Sequence, residues 1–134
     1  AKKLGAHYYF DSTMVNPAQE LMKLGGAKVI LCTAPNSKQI AELVDGLSMN
    51  GHMIIVTYSY KPMTISPILL MRGQRTISGW VGGTPEDALK FSVISGVRPM
   101  VETFPLEQAA VAFEKMMIAK VHFRAVLTME DEKK

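Results

Sequence analysis

The sequence holds little that would tie it to an oxidising compartment, a membrane or nucleic acid. Its 134 residues include one cysteine, Cys32. A lone thiol cannot close an internal disulfide, so a reducing, cytoplasmic setting is expected. Long apolar runs are missing. Val29 to Cys32, Met53 to Val56 and Ile68 to Met71 are each only four residues, far short of the roughly 20 needed to span a bilayer. No stretch has the pattern of a secretory leader. The net charge is only +3, and the Lys and Arg residues are scattered. Without a basic block or stripe, nucleic-acid binding is not implied.

Catalytic signatures are scarce as well. There is no Gly-x-Gly-x-x-Gly after a strand, no Walker phosphate loop and no Gly-x-Ser-x-Gly elbow. The imidazole and thiol ligands are His7, His52, His122 and Cys32, and no two of them stand two to four residues apart. A zinc site wants at least three such ligands converging, so no metal site is expected. Glu102, Glu107 and Glu114 read as helix-start or solvent-facing acids. Cys32 reads as a small buried hydrophobe, and the ten methionines as adaptable core filler.

What is present is alternation. Ala1-Lys2-Lys3-Leu4-Gly5-Ala6 reads as the end of a helix closed by Gly5 in a left-handed turn, as if the chain began inside a larger fold. The aromatic run His7 to Asp11 has strand propensity. Asn16-Pro17 is a cap followed by a first-position proline, with Ala18, Leu21 and Met22 on one helical face. Gly25-Gly26 ends that helix. Val29 to Cys32 reads as a parallel strand covered on both faces. Ser37 is expected to cap a helix bearing Ile40, Val44 and Leu47. Asn50-Gly51 reads as a turn before a buried strand at Met53 to Val56.

Pro62 to Pro67 reads as irregular, Ile68 to Met71 as a short helical piece, and Thr76 to Trp80 as a strand. Thr84-Pro85-Glu86-Asp87 starts a helix with acids at the positive end of its dipole; Gly96 stops it. Met100 to Thr103 and Arg124 to Thr128 are expected strands. Between them Pro105 opens a helix carrying Leu106, Ala109, Ala110, Phe113, Met116 and Met117 on one face. Glu130 to Lys134 reads as a frayed, charged tail. Strands alternating with helices argue for right-handed βαβ units and a mostly parallel sheet. In such sheets ligands bind beyond the carboxyl ends of the strands. Those ends are Thr33-Ala34, Val56-Thr57-Tyr58 and Gly79-Trp80-Val81.

The order of these pieces resembles the C-terminal portion of zinc-type medium-chain alcohol dehydrogenases. The residues that carry the resemblance are Lys2-Lys3-Leu4-Gly5-Ala6 before Asp11, Leu24-Gly25-Gly26-Ala27, Thr33-Ala34-Pro35-Asn36-Ser37 and Ile77-Ser78-Gly79-Trp80-Val81-Gly82. Gly96-Val97-Arg98-Pro99, Phe104-Pro105-Leu106-Glu107-Gln108-Ala109-Ala110 and Phe123-Arg124-Ala125-Val126-Leu127 complete it. The resemblance implies an α/β fold: a partial Rossmann-like, mostly parallel sheet flanked by helices and lacking the first two strands. Residues 1–96 would be a partial dinucleotide-binding domain. Residues 97–134 would be a closing segment that returns to the catalytic domain in the family.

It implies an oxidoreductase acting on alcohols and aldehydes with NAD or NADP, zinc-dependent and a homo-oligomer in its full-length form. Carried over by position, Thr33 and Ala34 flank the adenosine. Val56, Thr57 and Tyr58 run beside the nicotinamide and its ribose. Gly79, Trp80 and Val81 offer backbone to the carboxamide, and Arg124 pairs with the pyrophosphate through its forked guanidinium. The chain departs from the family in having Thr57 where glycine is usual, which brings bulk toward the nicotinamide position. The glycine loop, the acid that reads the ribose, the zinc ligands and the proton relay fall outside it. The chain is therefore expected to be an alcohol dehydrogenase fragment with no turnover of its own. The alternatives are a non-catalytic interaction module or another nucleotide-binding α/β domain such as a methyltransferase. In the family's strand order, the strand at Tyr8 loses its neighbour and Val29 to Cys32 faces an open edge. Three outcomes are expected from that: re-pairing of the Tyr8 strand beside Val29, oligomerisation, or marginal stability.

Overall fold

The computed structural model describes residues 1–129, so the tail expected at Glu130 to Lys134 lies outside the described residues. The chain divides into two compact units, Ala1–Gly82 and Gly83–Lys134.

The first unit opens with a 3-10 turn at Lys2–Leu4, closed by Gly5 at φ 95. The next stretch corrects one expectation. His7 to Asp11 is not a strand. Tyr8 and Phe10 stack at 6.3 Å between ring centroids, and Tyr8 and Tyr9 stay exposed. A strand must place its N–H and C=O groups on a neighbour, and no strand pairs with this one. The segment has not moved beside Val29.

Helix α1 (Pro17–Lys23) starts as expected, with the Asn16 side chain accepting from the Gln19 amide. Strand β1 (Ala27–Cys32) follows. Helix α2 (Ser37–Leu43) is capped by Asn36, whose side chain accepts from Gln39. Ser37 is not the cap, because its hydroxyl is turned to another task described below. A 3-10 turn at Val44–Gly46 leads into strand β2 (Leu47–Ile55), so Leu47 belongs to the strand and not to the helix. Asn50-Gly51 lies inside β2 rather than in a turn before it. Asn50 takes φ 56, and the register jumps from Ala27↔Leu47 to Val29↔His52. The residues expected to turn the chain make a bulge instead. Helix α3 (Pro67–Gly73) and strand β3 (Thr76–Gly79) complete this unit.

The three strands form one parallel sheet in the order β1-β2-β3. One face is packed: Cys32, Ile40, Val44, Leu47 and Met53 make the core, with Ile30, Ile55 and Ile77 against it. Val44, Leu47 and Met53 are fully buried, each stabilising the unit by roughly 1.5–3 kcal/mol. The other face does not match the expectation of a strand covered on both sides. Val29 and Leu31 remain 60% and 59% exposed, because β1 is an edge strand and no element of this unit overlies that face of it.

In the second unit, helix α4 (Pro85–Ser95) is capped by the Thr84 side chain on the Asp87 amide and stopped by Gly96 at φ 69. Strand β4 spans Glu102–Pro105 and strand β5 spans Ala125–Thr128. They pair in parallel from Glu102↔Ala125 to Pro105↔Thr128. Strand β4 sits two residues later than the Met100 to Thr103 run suggested, because β5 offers partners only from Ala125 on. A 3-10 turn at Leu106–Gln108 precedes helix α5 (Ala109–Met117). Phe104 of β4 and Ala112 of α5 are buried, while Phe113, Met116 and Met117 of α5 stay exposed. The expected bulky face of α5 is therefore not its packed face. A two-stranded ribbon accepts the small Ala112 but is too narrow to cover the larger side chains. Among the described residues no helix is long and apolar enough to cross a membrane.

Candidate functional site

Parallel pairing sets where the strands end. Cys32 pairs with Ile55, and Ile55 pairs with Gly79. The ladder continues one step further: the Val56 N–H donates to the Cys32 carbonyl at 3.1 Å, and the Trp80 N–H to the Ile55 carbonyl at 2.9 Å. All three strands therefore release the chain at one edge of the sheet. Thr33-Ala34, Val56-Thr57-Tyr58 and Gly79-Trp80-Val81 leave there together. All but the half-buried Thr57 are exposed. Trp80 is 64% exposed and Tyr58 73%, high values for aromatic rings. A Cβ built on Gly79 would meet nothing within 4 Å, so its backbone is approachable.

Two hollows flank this edge within the first unit. A small one, about 170 Å³, lies between the end of β1 and α2, with Cys32, Thr33, Ala34, Asn36 and Gln39 among its walls. A broader, open groove runs between the start of α2 and residues 58–64, with Lys38, Tyr58, Tyr60 and Lys61 on its sides. Ser37 holds that groove in shape. Its hydroxyl donates to the Lys61 carbonyl at 2.7 Å and lies 2.8 Å from the Ser59 hydroxyl. Since the single Ser37 proton is used on Lys61, Ser59 is the donor of the second bond. Ser37 is the buried polar residue of this unit, which is why Asn36 is left to cap the helix. No periodicity in the sequence signals this pinning, because its partners are more than 20 residues away.

Arg124 stands in the second unit, just before β5. It is exposed and makes no ion pair among the described residues. Its carbonyl accepts from the Glu102 amide at 2.9 Å, and its own N–H donates to the His122 carbonyl at 3.1 Å. Sequence reasoning missed Glu102. Its Oε1 accepts from both the backbone N–H and the ring Nδ1 of His122, each at 2.8 Å. An ionised carboxylate only accepts, so Nδ1 carries the proton. The His122 amide, then its ring, hold the Glu102 carboxyl below the ordinary carboxylate range, with the charge of Lys115 adding to the effect. The sequence shows Glu102 only as an acid within the expected Met100 to Thr103 strand, which by itself says nothing of a partner 20 residues on.

A zinc ion does not fit the residues present. Among the described residues no three His, Cys, Asp or Glu side chains gather as ligands. His52 Nε2 is 2.7 Å from the Ser78 hydroxyl and His122 is bound to Glu102. Cys32 is buried, and desolvation pushes its thiol pKa up, which disfavours the thiolate that a metal needs.

Comparison with known proteins gives this architecture a family. The model of the zinc-binding dehydrogenases matches residues 1–94. An alcohol dehydrogenase, notN, of Aspergillus sp. (strain MF297-2) is 37% identical over 97% of this chain and 39% of its own length. The alcohol dehydrogenase patD of Penicillium expansum is 38% identical over 96% of this chain and 38% of its own. The chain thus spans about two-fifths of the length of the curated relatives it matches. In fold it is similar to the crystal structure of benzyl alcohol dehydrogenase from Acinetobacter calcoaceticus, with a TM-score of 0.82 at 19% identity, covering 95% of this chain and 39% of that one. With the family model matched over residues 1–94, more than two-thirds of its length, the chain belongs to the zinc-binding dehydrogenase family.

Proposed function

We propose that this chain supplies the strand-end edge of a nicotinamide-dinucleotide site in an enzyme that interconverts alcohols and aldehydes. The observation that carries the reading is the shared release point of β1, β2 and β3. Parallel α/β sheets bind ligands there, since the strand ends leave backbone groups and loops unpaired. Thr33 and Ala34 are assigned to the adenosine. Val56, Thr57 and Tyr58 border the nicotinamide and its ribose, with the Thr57 methyl adding bulk where a glycine would leave room. Gly79, Trp80 and Val81 offer backbone groups to the carboxamide. Arg124 is assigned to the pyrophosphate, where its two-pronged donors match phosphate oxygens.

The bound dinucleotide, NAD or NADP, supplies the hydride chemistry. The residues of this chain bind and orient it. Among the described residues no zinc ligands gather, and the chain by itself is assigned no turnover. Residues 1–96 are read as a partial dinucleotide-binding domain and 97–134 as a closing segment, within a cytoplasmic, homo-oligomeric enzyme.

Trp80 provides the test, being the single tryptophan and sitting on the assigned edge. NADH bound there should quench Trp80 emission by resonance transfer to the reduced nicotinamide, with saturation, and NAD should compete. Emission unaffected by saturating NADH, together with a melting curve unmoved by it, would sink the reading, because a ligand must stabilise the state it binds. A second reading, a non-catalytic interaction module, draws on the apolar edge at Val29 and Leu31. Concentration-dependent self-association with no response to NADH would favour it.

A further inference from the structure

The stretch that carries Thr57 and Tyr58 has little of its own to hold it. Before it, the β2 ladder ends where the Val56 N–H reaches the Cys32 carbonyl. After it, Met63 and Ile65 pack against the core of the first unit. Between these attachments residues 57–62 form neither helix nor strand. Tyr58 to Pro62 are all exposed, so burial of side chains does not fix their path. Pro62 has no N–H to place. Among the described residues two hydrogen bonds reach this stretch, and Ser37 makes both. Its hydroxyl donates to the Lys61 carbonyl at 2.7 Å and accepts from the Ser59 hydroxyl at 2.8 Å.

Ser37 is well placed to act as a mooring. It is the first residue of α2, a helix seated in the core through Ile40. Its side chain is buried, so little water competes for its two bonds, which are stronger for it. Its hydroxyl has no duty on the helix, because the Asn36 side chain accepts from the Gln39 amide. The two residues it holds, Ser59 and Lys61, stand on either side of Tyr60, and Ser59 directly follows Tyr58. One hydroxyl therefore ties a six-residue loop to a packed helix. Every part of this arrangement lies within the first unit.

We propose that Ser37 is a positioning residue for the nicotinamide side of the site: its buried hydroxyl moors residues 57–62 to α2 and so presets Thr57 and Tyr58 at the strand-end edge. This rests on the assignment of Thr57 and Tyr58 made above. A loop already held where a ligand needs it saves the entropy of ordering it on binding.

The test is calorimetric titration of the full chain with NADH and, separately, with ADP, for the wild type, Ser37→Ala, Ser37→Thr and Ser59→Ala. ADP lacks the nicotinamide and its ribose, so it reports on the adenosine side alone. Ser37→Ala should weaken NADH binding at least about threefold and leave ADP binding unchanged. Ser37→Thr keeps the hydroxyl and should recover most of the loss. Ser59→Ala, at an exposed position, removes one of the two bonds and should give a smaller loss in the same sense. The mooring itself is read by native chymotrypsin, which cuts after Tyr58 and Tyr60 when the loop opens. Cleavage should be about fivefold faster in Ser37→Ala, as expected for the loss of about one net hydrogen bond from the closed loop. Native alkylation of Cys32 should stay as slow as in the wild type, which separates local loosening from unfolding. Faster cleavage with NADH binding unchanged would overturn the positioning role and leave the site standing. Losses of the same size for NADH and ADP would overturn it too, as general damage to the unit. Cleavage no faster in Ser37→Ala would show that Ser37 does not moor the loop. A wild-type chain that binds neither ligand would remove the assignment of the edge, and the proposal with it.

Discussion

Gly26 lies just before β1, where the chain leaves α1 and enters the sheet. It holds φ +80, and a Cβ built on it would sit 2.8 Å from the Ser48 backbone nitrogen and 2.9 Å from the Ser48 Cα. Gly26→Ala therefore meets two costs. A left-handed conformation costs an L residue roughly 1–2 kcal/mol. Pushing a methyl group into the β2 backbone adds an overpacking cost of about 1–3 kcal/mol, since neither contact is the free end of a side chain. The sum, about 2–5 kcal/mol, is a large share of the 5–15 kcal/mol typical of a domain. Gly25 is the control. It holds φ +95 but a Cβ there meets nothing within 4 Å, so Gly25→Ala should lose only the conformational part, about 1–2 kcal/mol. The assay is urea denaturation followed by circular dichroism, comparing midpoints at unchanged slope. Equal losses for the two variants would show that the close approach of Gly26 to Ser48 is not real, and with it the entry geometry of β1.

Other expectations follow from burial and titration. Leu47→Ala should cost about 2–5 kcal/mol, because its side chain is fully buried and would leave a cavity; Leu89→Ala, 69% exposed, should fall within about 0.5 kcal/mol, both read by denaturation. Glu102 carries a depressed carboxyl in the folded chain, so it stabilises fully above its unfolded pKa near 4.3, and that contribution is lost as pH falls through the lower folded value. Asp11, held low by the hydroxyl and amide of Thr13, acts in the same sense. The readout is therefore the difference between wild type and Glu102→Gln across acid denaturation, which should shrink as pH drops; a constant difference would argue against the His122 bonds. Cys32, buried and raised in pKa by desolvation, should be alkylated only through opening of the sheet, so native labelling followed by mass spectrometry should be far slower than labelling in urea.

Much of the chain's helix placement was legible because its signals are local. Asn16-Pro17, Thr84-Pro85 and Gly96 announce caps and stops through the chemistry of the residues themselves, and each sits where that chemistry puts it. The apolar runs at Val29 and Met53 mark strands for the same reason, although β1 is packed on one face only. Other expectations failed where a partner elsewhere overruled propensity. Tyr8 to Phe10 has strand composition but no neighbour to bond. Asn50-Gly51 has turn composition, yet β1 runs alongside and converts it into a bulge. Ser37 has cap composition, but Ser59 and Lys61 claim its hydroxyl and Asn36 takes the cap.

The candidate site divides along the same line. The identity of the strand-end residues, and the likeness of their order to a dehydrogenase, could be read from sequence, because the alternation of apolar runs with capped helices dictates parallel strands and parallel strands dictate which ends carry ligand. That Cys32, Ile55 and Gly79 stand in one row, so that three separate loops share one edge, depends on register, which only the folded sheet decides. The grip of Glu102 on His122 and Arg124 is likewise invisible in sequence. It joins residues about 20 positions apart across a parallel pair, and long-range hydrogen bonds leave no periodic trace in the chain that makes them.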